Sequence, residues 1–468
     1  MNSFGGQNHY RPLSPSDVSE IRMVKLYPGK FKDEIRCELM HVSLASENAA
    51  YIALSVLQDP DLPRGFPFEV GPEFSSMVQR HVSELGLVVD EQDESLSQQT
   101  SLDSCYLTFW IDAICINQRD LVERSQQVGK MKDIYSRAHS TLIWLGDAGQ
   151  PAEDVSLAFD LVRDIWQQIQ AHLRHQEQWT EVVDRITSEE FVEPRIPSIM
   201  SLRQILTRAW FSRVWIIQEV ATAQGPVFAL LGFYPVQWKF LSHVVLPCCE
   251  YMTRSGRYNA VDAMFRTDVR NVHALRDLAK EYAVMMEGRT SSHNTRGSIN
   301  APERFYALLQ QTCGSFKATD PHDVVYAILG LLGTDTIPQE LLPDYTASVG
   351  YVFHQTAVYL VRHLHRIDFL SFSKRKHDDL ASVPSWVPDW RYLKMSQIRG
   401  YENPLAANVT EDGLGLEIEG IRLGTVATVV YPTAFAAAVA NTFIGRREQP
   451  QRGENSGADT ARGVLAVF

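Results

Sequence analysis

Short apolar runs alternate with helix-periodic stretches through the first half of the chain. IRMVKLY (21–27) and YIALSV (51–56) read as strands within a segment of two or three. Phe74, Val78, Val82 and Leu85 recur at helical spacing and predict a helix over 73–85. LTFWI (107–111) is a continuous apolar run, as a strand covered on both faces requires. Over 120–138, Leu121, Val128, Met131, Tyr135 and Ala138 fall on one helical face, while Glu123, Lys130, Lys132 and Arg137 fall elsewhere. TLIWLG (141–146) is a second buried strand, so 107–146 reads as a βαβ unit with parallel strands. A helix over 153–174 follows, with Val155, Phe159, Val162, Trp166, Ile169 and Leu173 facing inward, and VFALLG (227–232) is again strand-like.

Beyond residue 232 the period changes. Residues 238–290 read as mostly helical, and helical runs at 302–312, 322–332 and 347–365 predict a largely α second region, with irregular and β structure over 383–431. The acidic, Ser/Gln-rich stretch 90–104 reads as a surface loop, and TRSGR (253–257) and GRTSSHNTRGS (288–298) as exposed loops. The expected organisation is a loose leader over 1–20, an α/β domain over 21–232, a mainly helical region with β elements over 233–445, and a disordered tail over 446–468. The fold class is thus α/β, a TIR/flavodoxin-like parallel sheet followed by a mainly α region. No internal repeat is present.

Composition narrows the function classes. The 468 residues carry a net charge of −12 with a pI of about 5.6. That balance argues against nucleic-acid binding, which needs a concentrated basic surface. The six cysteines form no CxxC pair, which points to a reducing compartment and offers no metal site. The first 20 residues lack the apolar core of a signal peptide. LGTVATVVYPTAFAAAVANTFIG (423–445) is uncharged over roughly the 20 residues of a membrane span, but its Pro432, Asn441, threonines and alanines fit a strand (425–431) and an alanine-rich helix better. These readings lead to a cytoplasmic protein with no membrane partner. GxSxG, GxxxxGK[ST], HExxH and the kinase signatures are all absent.

Three segments carry a family resemblance. WIDAICINQRDLVERSQQVGKMKDIYSRAHSTLIWLG (110–146) closely resembles the signature block of the fungal heterokaryon-incompatibility (HET) domain. RAWFSRVWIIQE (208–219) is similar to its third block and YIALS (51–55) to the start of its first. TDPHDVVYAILGLL (319–332), PDY (343–345) and SWVPDW (385–390) resemble elements that commonly follow the domain. The first block departs from the family pattern: Ser55 leads into Val56-Leu57-Gln58-Asp59, without the usual aromatic pair and glycine. That change bears on ligand binding and on whether the member is active, reduced or truncated. The resemblance implies self/non-self recognition leading to growth arrest or cell death, through protein partners or self-association.

HET domains in turn resemble TIR domains, some of which cleave NAD. Trp215-Ile216-Ile217-Gln218-Glu219 is similar to their Trp-x-x-x-Glu, which makes Glu219 the candidate catalytic carboxylate and NAD a substrate rather than a cofactor. The loop after the first strand of the βαβ unit lies where open α/β sheets bind ligands. Asp112, Asn117 and Gln118 on that loop, with Arg208 and Arg213 beside the Trp-Glu motif, are the candidate ligand-binding residues. Several have a structural alternative. Glu219 could pair with Arg213, Asp112 could cap its loop, and Asn117 and Asp120 fit a turn and a helix N-cap followed by Glu123. Trp110, Trp144, Trp210 and Trp215 read as core aromatics. Arg124 would act as a phosphate clamp only if desolvated. Two functions stay open: a TIR-like NAD glycohydrolase, and a non-catalytic signalling module.

Overall fold

The computed structural model describes residues 10–27, 36–46, 51–56, 106–146, 153–175, 179–186, 188–232, 234–243, 262–290, 300–333, 337–365, 367–372, 377–392, 407–419 and 462–465. The helix expected over 73–85, the loops at 90–104 and 253–257, and the segment 423–445 lie outside them.

Seven strands form the main sheet: β1 (Glu20–Leu26), β2 (Cys37–Ser43), β3 (Ile52–Val56), β4 (Leu107–Trp110), β5 (Ser140–Trp144), β6 (Val227–Leu231) and β7 (Tyr234–Gln237). Their order is β2-β1-β4-β3-β5-β6-β7. The middle four, β4-β3-β5-β6, run parallel, and antiparallel strands close both edges. All five residues of β3 are buried, which explains why IALSV is nearly continuous in apolar character. β4 and β5 are parallel, as expected of the βαβ unit, but they are not neighbours. β3 lies between them and pairs with both, Ile52 opposite Phe109 on one side and Ser140 on the other. Strand order is set by distant pairing, which a local apolar pattern does not encode.

The chain leaves β3 for β4 on one side of the sheet and then passes to β5 on the other. Among the parallel strands the order of appearance is therefore 2-1-3-4, and the reversal falls between β3 and β5. In such sheets the loops at the carboxyl ends of the two flanking strands diverge and leave a crevice.

The helix expected over 120–138 is two helices. α1 (Asp112–Cys115) is a single turn, followed by α2 (Leu121–Val128) and α3 (Met131–Arg137). The ladder breaks at Gly129-Lys130, where the Lys130 Nζ and Gln127 Nε2 both donate to the Glu20 carbonyl at 2.8 and 3.3 Å. Asp120 caps α2, its Oδ1 accepting from Val122 and Glu123 N–H at 3.1 Å. Glu123 does not return the bond to its cap. It accepts from Asn117 N–H at 2.7 Å and takes Arg22 at 2.5 and 3.0 Å in a buried bidentate pair. The leader is anchored in its described part, with Tyr10 donating to Ile114 O at 3.0 Å and Arg22 to Arg11 O at 2.7 Å.

α4 (Glu153–His175) buries Val155, Phe159, Val162 and Ile169 as its period requires. It is followed by α5 (Trp179–Ile186), α6 (Glu189–Val192), α7 (Ile196–Leu206) and the short α8 (Ile216–Ala221). The C-terminal region contributes α9 (Asp262–Thr290), α10 (Ala301–Thr312), α11 (Asp323–Leu329) and α12 (Val349–Leu364), matching the expected helical runs. Asn300 and Ser348 cap α10 and α12 through Glu303 and Tyr351 N–H. A small sheet joins β8 (Ala407–Val409), β9 (Leu416–Glu419) and β10 (Arg462–Leu465), so four residues of the expected tail are paired. SWVPDW acts as a staple: Trp386 and Trp390 donate their indole N–H to Leu414 O and Phe353 O. The buried residues of both regions form one contiguous cluster. No helix among the described residues is long and apolar enough to cross a membrane.

Arg22→Met would leave the Glu123 carboxylate buried without its cation, and a stability loss of about 3–5 kcal/mol is expected in urea unfolding. Arg22→Met/Glu123→Leu removes both charges and should recover a large part of that loss; equal instability of the single and double variants would contradict this assignment.

Candidate functional site

The carboxyl ends of β3 and β5 leave backbone carbonyls that no further strand pairing can satisfy. Two arginines reach them. Arg213 Nη1 donates to Val56 O at 2.8 Å, at the end of β3. Arg208 Nη1 donates to Leu145 O at 2.5 Å, one residue past β5. The segment 208–219 is thereby laid across the reversal point of the sheet. Gly146, the glycine of WLG, sits here with φ +95°, and a Cβ on it would come within 2.9 Å of the Arg208 guanidinium. Its backbone conformation disfavours any side chain there, and one would also push on the Arg208 guanidinium.

Laying this segment down brings Glu219 to the end of β3. Its carboxylate accepts a short hydrogen bond from the Ser55 hydroxyl, and Ser55 Oγ in turn accepts from Trp210 Nε1 at 2.7 Å. The hydrogens run one way along this relay, from indole to hydroxyl to carboxylate. Glu219 is 1% exposed. Burial pushes its carboxyl up to about 7, opposed by the charge of Arg213 and the bond from Ser55, with Asp112 adding a smaller upward push. Asp112, half-buried at the start of α1, is also raised by burial and lowered by Arg213. Its Oδ1 accepts from Ala113 N–H at 2.7 Å, a local bond of the capping kind. Tyr135 faces the same group from α3, its hydroxyl raised by burial and then by Glu219.

The candidate residues therefore separate into two groups. Glu219, Arg213 and Asp112 share one electrostatic environment, and Arg208 stands beside it on Leu145 O. Glu219 and Arg213 are not within ion-pair distance among the described residues. Asn117 turns away: its Oδ1 accepts from Arg119 N–H and its N–H goes to Glu123, so it shapes the turn before α2. Gln118 Nε2 donates to Asp112 O at 3.0 Å and closes α1 from below. Arg124 is committed elsewhere, to Asp320 and Asp323 at 2.9 and 3.4 Å and to the face of Tyr345 at 3.6 Å.

Ser55 and Trp210 were not among the expected site residues. Ser55 reads as a small residue in a buried strand and Trp210 as core. The signal available in the sequence was that both belong to the blocks that carry the family resemblance. Among the described residues no group of three His, Cys, Asp or Glu could hold a metal ion.

The family model for heterokaryon incompatibility protein (HET) matches residues 77–219, ending on Glu219 itself. Residues 77–219 are thus similar to a HET domain. It is 28% identical over 433 residues to "Heterokaryon incompatibility protein 6, OR allele" of Neurospora crassa, an alignment covering 83% of this chain and 60% of that protein. This chain thus spans 60% of the length of the curated relative it matches. No solved structure matches it. The HET match includes α1, Arg208, Trp210 and Arg213, while Ser55 precedes it.

Glu219 imposes a stability cost on this domain that depends on pH. Its folded value of about 7 lies above the ordinary 4.5. The folded chain therefore holds this proton more tightly, and the resulting stabilisation is full below about 4.5 and is lost as pH rises through about 7. Glu219→Gln keeps an acceptor for Ser55 but carries no charge. Its stability relative to wild type should rise by up to about 3 kcal/mol between pH 4.5 and 8 in urea unfolding. A constant difference across that range would show that the carboxylate is not desolvated.

Proposed function

We propose that this chain is a heterokaryon-incompatibility protein of a filamentous fungus, acting in the cytoplasm to arrest growth or kill the cell on non-self recognition, and that its HET domain does so by cleaving NAD. The observation that carries the chemistry is the placement of Glu219. It lies at the reversal point of a parallel sheet, with a raised carboxyl, in the field of Arg213, which is bound to the end of β3.

Cleaving NAD breaks the bond between ribose C1′ and nicotinamide, whose ring nitrogen leaves with the bonding electrons. Positive charge develops on the ribose, and a nearby carboxylate stabilises it. Water then adds to C1′ and loses a proton, giving ADP-ribose. Glu219 is the group for this task, and Ser55 fixes its orientation through one short hydrogen bond. Arg208 and Arg213 supply positive charge for the pyrophosphate, and the α1 turn with Asp112 supplies the opposite wall. The similarity to an incompatibility protein of Neurospora crassa supports the cellular role.

A second reading rests on the burial of Glu219. A carboxylate 1% exposed suits a structural member of a signalling module that works by self-association or by binding a protein partner. Nicotinamide release from NAD, followed for wild type and Glu219→Gln, separates the two. Loss of release by a factor of about 100 or more in the variant is expected for a group acting at the reacting centre. The ionised carboxylate is the working form, so release should rise about tenfold from pH 6 to pH 8. No release by wild type, with both chains equally toxic when expressed in a fungal host, would leave the second reading.

A further inference from the structure

The segments TDPHDVVYAILGLL and PDY play no part in the chemistry above, yet they bear on the site directly. The stretch that carries Glu219 is gripped by the C-terminal region along its whole length. Asn271 on α9 donates to both Phe211 O and Ser315 O at 3.1 and 3.3 Å. Lys317 and the 212–214 backbone exchange two bonds, Lys317 N–H to Ser212 O at 2.6 Å and Val214 N–H to Lys317 O at 2.9 Å, forming a parallel bridge at Arg213. The Trp215 side chain lies close enough to the Asp323 carboxylate to favour its ionised form. Gln218, immediately before Glu219, donates to Tyr326 O on α11 at 3.2 Å.

This grip is locked from outside. Arg124 on α2 is held between Asp320, Asp323 and the ring of Tyr345. The Tyr345 hydroxyl bonds Asp323 at 2.5 Å, and its N–H bonds Ser125 Oγ at 2.9 Å. His322 bridges Asp320 and Ala347 O at 2.6 and 3.0 Å and stacks on Tyr326. Within this frame Gln218 Oε1 is buried without a hydrogen-bond partner and faces Gly330, where a Cβ would approach it to 2.7 Å. An orphaned amide oxygen disfavours the closed arrangement, so the grip holds α8 against an opposing cost.

We propose that the C-terminal segments 315–333 and 337–345 form an autoinhibitory brace that keeps the Glu219 helix α8 shut against β3, and that its release opens the site to substrate. This rests on the reading of Glu219 as the working carboxylate, because a group so buried cannot meet a ribose until α8 moves. The brace explains why a candidate catalytic carboxylate and deep burial coincide at one residue: Ser55 holds the carboxylate from the sheet side, with Trp210 behind it, and Gln218 ties its helix to α11. It also gives Arg124 a role, as the cation that joins the brace to α2.

The test uses the full chain with Tyr345→Phe, which removes the hydroxyl bond to Asp323, and Gly330→Ala, which presses on Gln218. Glu219 is labelled with a water-soluble carbodiimide and an amine, and labelling is read by mass spectrometry beside amide exchange. Labelling of Glu219 and exchange over 212–222 are expected to rise about tenfold in each variant, with β3–β6 unchanged. Unchanged labelling in both variants overturns the brace, and so does faster exchange spread over the whole sheet. Nicotinamide release that falls while labelling rises overturns autoinhibition, since the brace would then be holding Glu219 in its working position. If labelling rises and neither wild type nor variants release nicotinamide, the NAD reading fails and the brace stands.

Discussion

Everything at the candidate site follows from carbonyls left over at the ends of parallel strands. A parallel strand that stops in the interior leaves acceptors pointing where no neighbouring strand continues, and burying them unpaired is costly. Here the acceptors at Val56 and Leu145 are met by Arg213 and Arg208. Both arginines lie on one short segment, so satisfying the two carbonyls fixes that segment across the switch point of the sheet. Trp210 and Glu219 are then placed with no remaining freedom, one on each side of the Ser55 hydroxyl. Arg213 also holds positive charge near the buried carboxylate without closing an ion pair on it.

The arrangement sets stability against function. A carboxyl raised to about 7 is a group that folding would rather keep neutral, and the chain tolerates it at the one place where the strand ends diverge. A structural role would be served better by glutamine, which can accept from Ser55 without desolvating a charge. Retaining the acid is therefore an argument for chemistry, drawn from energetics and independent of any resemblance.

The sequence made the elements legible where burial is simple. β3 to β6 are short apolar runs because both faces are covered, and α4, α10 and α12 have apolar stripes of helical period with Asn300 and Ser348 as caps for the last two. Glu219, Arg208, Arg213 and Asp112 could be named as candidates because they fall in the blocks 110–146 and 208–219. The insertion of β3 between β4 and β5 was not legible, since strand order depends on pairings with no local signature. The break at Gly129-Lys130 was hidden because the apolar stripe continues through it, while the contact made there, with the Glu20 carbonyl, is distant in sequence. Ser55 was missed for a related reason: its partner Glu219 is 164 positions away, and a lone serine in a buried strand looks like a small filler. Asn117 and Gln118 were placed in the right loop, but their side chains are spent on its backbone.

The division into an α/β domain and a helical region describes the chain's periodicities better than its mechanics. Arg124 shows why. A desolvated arginine on α2 facing the crevice would have been a plausible phosphate ligand, but two carboxylates and an aromatic face from the C-terminal region hold it instead. The same region reaches the backbone of 212–214 and the side chains of Trp215 and Gln218. A signal that loosens the C-terminal region must therefore be felt at Glu219, because α8 is only six residues long and has partners on both sides. Coupling between two sites requires an element that both can bias. α8 is that element, held by Ser55 through Glu219 on one side and by Tyr326 through Gln218 on the other.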